Sequence, residues 1–172
     1  MGYYKNLVIR IVIALIIFII PYSLINYLLL KLTLYGSYPL LLTKYSPTII
    51  GNSFMINNNL LNIISACVAT SAYYLLLVLI IFTKDLRLKT SIYLFLIGST
   101  LILAANIIRI DILIFIFLEY GKNIFERFHL FIWEFISSIY VALVWIFLVK
   151  KFKIKTIPVY SDIKYLIKNI RK

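Results

Sequence analysis

Four apolar runs constrain this chain more than any other feature. They cover residues 7–30, 60–82, 91–118 and 130–149. A helix of ~20 apolar residues crosses the hydrocarbon core of a bilayer, so each run is long enough to span. The first is interrupted by Arg10 and Pro21, the second has no charge, the third holds Arg109 and Asp111, and the fourth holds Glu134. The first run is too long for the apolar region of a secretory signal, and no small-residue cleavage pattern follows it, so it reads as a span. Residues 38–50 form a shorter run with Pro39 and Pro47 and read as an interfacial or re-entrant segment. Hydrophobic residues make up 63% of the chain and mean hydropathy is +1.01. Such a chain folds with lipid as its main solvent. The expected fold is an all-α integral membrane protein, a bundle of about four transmembrane helices plus a possible interfacial segment. The 172 residues suggest one domain, with a membrane-embedded part over 1–150 and a basic tail over 151–172.

Charge orients the bundle. The N-terminal segment, the connection between the second and third runs and the stretch from Lys150 onward hold thirteen Lys and Arg, against four in 31–59 and 119–129. By the positive-inside rule both termini are expected in the cytoplasm and the two poorer connections outside. Seven of the twelve net positive charges lie from Lys150 to Lys172. A basic stretch directly after an apolar run reads as an anchor for anionic lipid heads, not as a nucleic-acid footprint.

Chemistry-bearing side chains are few. The single cysteine, Cys67, excludes an internal disulfide and any CxxC site. One histidine, His129, excludes HExxH-type zinc hydrolysis, and no metal or other cofactor is expected. With the orientation above, Cys67 is expected about 10 Å below the outer surface on the second span, and Arg109 about 13 Å below it on the third. His129 opens the fourth span at the same face. Alone, each has an ordinary reading: a small buried apolar filler for Cys67, a structural ion pair with Glu134 for Arg109, an interfacial side chain for His129. Asn106 is at i−3 from Arg109, on the same helical face, and is placed to orient the guanidinium, while Asp111 at i+2 faces elsewhere. Glu126 or Trp133 could contact His129. Together the three supply a nucleophile, a base for its proton and a group to stabilise developing negative charge.

The segments SACVATSAYYLLL, AANIIRIDIL and RFHLFIWEF resemble the three signature regions of the exosortase/archaeosortase family, in order and spacing, across roughly residues 55–145. The resemblance implies a multi-pass membrane cysteine transpeptidase or protease with Cys67, Arg109 and His129 as catalytic residues and Asn106 as a supporting one. Its implied partners are exported proteins that end in a short motif, a hydrophobic helix and a basic cluster. Where the family often has Ser-Gly or Thr-Gly after the cysteine, this chain has Val68, Ala69 and Thr70. The competing expectation is a non-enzymatic membrane subunit, or a protein that binds sorting signals without cleaving them, with a structural Arg109–Glu134 pair.

Overall fold

In a computed structural model, residues 2–19, 22–132 and 137–170 are described. They are mostly helical, as expected. The helices are α1 (Gly2–Ile19), α2 (Tyr22–Leu41), α3 (Thr70–Ile81), α4 (Leu88–Tyr120), α5 (Lys122–Phe131), α6 (Ser137–Lys151) and α7 (Tyr160–Ile170). At 33 residues α4 is about 50 Å long at 1.5 Å per residue. It is the one helix among the described residues that is long and apolar enough to cross a membrane; α3 is equally apolar but has 12 residues.

α4 is the axis, and α2, α3, α5 and α6 all pack on it. α2 runs parallel to it: Thr33 meets Asn106 and Lys44 reaches Glu119. α3 and α6 run the other way. Gly98 permits their approach, because a Cβ there would lie 2.6 Å from Leu76 and 3.0 Å from Leu148. Two cores result. One, around Tyr73, Leu76, Leu94, Val144 and Leu148, takes its buried residues from helices. The other joins Leu34 and Leu41 of α2 to Phe54, Ile56, Val68 and Ile110, and belongs to the opposite end.

That second core contains what the sequence reading did not expect. Residues 38–50 are no re-entrant loop: α2 continues to Leu41, and a three-stranded antiparallel meander follows, β1 (Thr48–Ile50), β2 (Ser53–Ile56) and β3 (Asn59–Asn62). Asn57 and Asn58 turn β2 into β3 with φ of 48° and 64°. Two successive positive φ values make a type I′ hairpin, for which asparagine is well suited. Phe54 and Ile56 bury one face of the sheet against α2 and α4.

One expected span is corrected in consequence. Residues 60–82 are not one helix: β3 uses the first three, a 3₁₀ turn spans Ser65–Cys67, and α3 begins only at Thr70. Of residues 7–30, those to Ile19 lie in α1 and those from Tyr22 in α2; Ile20 and Pro21 lie outside the described residues. Of residues 130–149, Leu130 and Phe131 lie in α5 and those from Ser137 in α6; 133–136 lie outside the described residues. The tail packs back on the rest of the chain. Val159 and Thr156 donate to the carbonyls of Phe82 and Lys84, and Asp162 of α7 accepts two hydrogen bonds from Arg10 at 2.9 and 3.0 Å.

Candidate active site

Cys67 ends the 3₁₀ turn, before α3 begins at Thr70, and is not carried on that helix as expected. Its N–H donates to the Ile64 carbonyl at 2.8 Å, and the Val68 N–H to Ser65 at 3.2 Å. Ala69 then takes φ 55° and ψ 33°, the left-handed region, before α3 starts. For a residue with a Cβ this conformation costs roughly 1–2 kcal/mol, so neighbouring interactions must hold it.

Those interactions come from both flanking helices. On one side, Asn26 of α2 donates to the Ser65 hydroxyl at 3.0 Å and accepts from the Thr70 hydroxyl at 2.9 Å, bracketing the turn. On the other, the Asn106 amide of α4 donates to the Cys67 carbonyl at 3.0 Å, and Arg109 Nη2 donates to the same oxygen at 2.8 Å. Asn106 is buried and also donates to Thr33 at 3.3 Å. Its expected role is therefore corrected. It does not hold the guanidinium; it shares an acceptor with it, and its own Oδ1 has no hydrogen-bond partner among the described residues. Asp111, two residues beyond Arg109, meets Ser37 of α2.

His129 lies on α5, stacked on Phe125 with ring centroids 5.5 Å apart and planes at 23°. Phe125 in turn meets Phe117 of α4 edge-on at 5.6 Å. Glu126 is paired with Lys122 at 3.7 Å; Trp133 and Glu134, the other expected partners of His129 and Arg109, lie outside the described residues. Nδ1 of His129 is buried with no hydrogen-bond partner among the described residues. Burial, and secondarily the positive charge of Arg109, push the imidazole below its ordinary pKa of 6.5, which favours the neutral, proton-accepting form near pH 7.

Cys67 and His129 line one cavity of about 240 Å³, together with Phe117, Phe125 and residues 60–63. Arg109 borders a second cavity of about 230 Å³, with Asn106, Ala69, Ile132 and Tyr140. The thiol and the imidazole thus share a space, and the guanidinium stands at the turn between the two cavities. A thiol that shares a cavity with an imidazole, with a guanidinium bonded to its own main-chain carbonyl, brings together the residue types a cysteine nucleophile needs.

Sequence reasoning singled out Cys67, Asn106, Arg109 and His129 but missed Asn26, Thr33 and Thr70. The signal for Asn26 was present, since a lone asparagine in an apolar run needs a polar partner. No protein-family model, curated protein or solved structure matches the chain.

Proposed function

We propose that the chain is a membrane-embedded cysteine transpeptidase or protease that cleaves the C-terminal sorting signals of exported proteins. The observation that carries this reading is the shared cavity of Cys67 and His129, with Arg109 hydrogen-bonded to the Cys67 carbonyl. In the proposed mechanism His129 takes the thiol proton, and the thiolate sulfur attacks the substrate carbonyl. The tetrahedral intermediate collapses as His129 returns the proton to the leaving amine, leaving a thioester on Cys67. Water or an amine then attacks the thioester and restores the thiol. Arg109 stabilises the thiolate electrostatically and fixes the turn that carries it. The proposed setting is a four-span bundle with both termini cytoplasmic. Arg109 lies 21 residues after Leu88, about 31 Å along α4, so a ~30 Å hydrocarbon core entered near Leu88 ends close to the guanidinium. In this proposal the chemistry lies at the outer boundary, where the bond preceding a substrate's own helix would lie.

A second reading rests on one specific observation. Arg109 and Asn106 both donate to a main-chain carbonyl, which a purely structural clamp in a non-enzymatic membrane subunit would also do. Co-expression with candidates that have an apolar C-terminal helix and a basic end, followed by mass analysis of their C-termini, separates the two. The enzyme reading expects shortened or transferred C-termini with the native chain and intact ones with Cys67→Ser. Intact C-termini for every candidate with the native chain favour the structural clamp.

A further inference from the structure

β3 is an edge strand, since the sheet order is β1-β2-β3. In a two-residue hairpin the pair that flanks the turn exchanges both of its hydrogen bonds, and bonded pairs then alternate along the ladder. Ile56↔Asn59 is that pair, so Asn59 and Leu61 bond to β2, and the Ile63 N–H to the Asn52 carbonyl at 3.0 Å continues the alternation. Leu60 and Asn62 therefore turn their N–H and C=O groups to the open edge. Among the described residues no backbone group pairs with them there. An exposed edge of this kind is ordinarily a liability.

This edge faces the Cys67 cavity. Side chains on a strand alternate between faces, so a cavity against one face of a strand is lined by every second residue. The Cys67–His129 cavity is lined by four consecutive residues, 60 to 63, the pattern of a cavity that runs along the strand's edge. From Asn62 the chain passes through Ile63 and Ile64 into the turn that ends at Cys67.

We infer that the open edge of β3 is the substrate-binding subsite. The extended segment just before a substrate's C-terminal apolar helix adds to the sheet as a fourth strand, bonded to the main chain of Leu60 and Asn62. This inference rests on the function proposed above. β3 leads toward α3 and the membrane. A passenger whose soluble part lies outside and whose helix follows runs in the same direction, so the pairing is parallel. Main-chain pairing registers the chain by two-residue steps and tolerates varied side chains. Specificity at the cleaved bond is left to the apolar cavity floor of Phe117, Phe125 and Leu113.

The test uses the full chain in nanodiscs with Leu60→Cys and Cys67→Ser, so its one thiol lies on the edge. The probe is a synthetic peptide with an eight-residue Ser/Thr/Val segment, a twenty-residue Leu/Ala helix and three C-terminal lysines, bearing one cysteine stepped through the eight positions. Disulfide formation is expected to peak at alternate positions, and to fall at least tenfold when Asn62→Pro removes one edge N–H. A helical three-to-four-residue periodicity, uniform crosslinking or none would overturn the inference. The experiment does not use the Cys67 thiol. Cleavage of the same peptides by the native chain is read separately, so a bound but uncleaved peptide counts against the enzyme and not against the edge.

Discussion

Each end of the bundle has a partly buried arginine, and the two are used differently. Arg10 is met by a carboxylate. Its two terminal nitrogens engage both oxygens of Asp162, 152 residues away, with side chains only 15% and 7% exposed. The bidentate pair joins α1 to the C-terminal helix and matches the planar fork of the guanidinium to a planar acceptor. Arg109 instead directs Nη2 at a neutral main-chain oxygen, that of Cys67. The two contacts differ in the charge of the acceptor, and the Arg109 charge contributes, after burial, to lowering the His129 pKa. The difference separates a clasp from the proposed site.

The largest expected effect tests the site end. Arg109→Lys keeps the charge but loses the fork, and processing should fall about 10²-fold, as for loss of one oxyanion-type donor, with protein abundance little changed. Full activity with lysine would mean that charge alone suffices, and the geometric half of the comparison would break. Cys67→Ser, read on the same substrate, should remove processing altogether while the chain folds.

At the clasp end, Asp162→Asn should lower stability by about 1.5–3 kcal/mol, the range for hydrogen bonds to charged groups, while activity per folded molecule stays constant. Thermal unfolding in detergent and single-turnover processing give the two numbers. A loss of activity without a loss of stability would show that the clasp reports to the site.

The smallest effect is one of pH. Because burial and Arg109 lower the His129 pKa, the acid limb of the pH–rate profile should fall below the ordinary 6.5. Arg109→Gln should move it upward. The linkage sign follows: the unfolded chain binds a proton at this site more readily, so stability declines as pH falls through 6.5 toward the folded pKa. A limb at or above 6.5 that ignores Arg109→Gln would sever the electrostatic link between the two residues.

Much of the helical content was legible in the sequence, because long apolar runs between charged connections have few other solutions. The residues proposed to carry chemistry stood out for a related reason: an arginine within an apolar run, a lone thiol and a lone imidazole are conspicuous in an apolar background. What escaped was local. Hydropathy sums apolarity without regard to period, so β3, with Leu60 and Leu61 in it, merged with α3 into one apparent span. The consecutive asparagines at 57–59 were the available signal for the hairpin. The partners of Asn106 escaped because a helical face says which side chains are neighbours on one helix, not that two of them will converge on a carbonyl contributed by another segment.

The left-handed Ala69 has a consequence for competing folds. Alanine is the strongest helix former, and a right-handed Ala69 would favour extending α3 backward, although Val68 and Thr70 beside it are weaker formers. Such an extension would draw the thiol into a continuous helix and satisfy the Cys67 carbonyl within it. Two donors from α4 occupy that carbonyl instead, so Asn106 and Arg109 act as a helix terminator in trans, ending one element from the surface of another. Before any chemistry is considered, they decide where a helix is not allowed to begin.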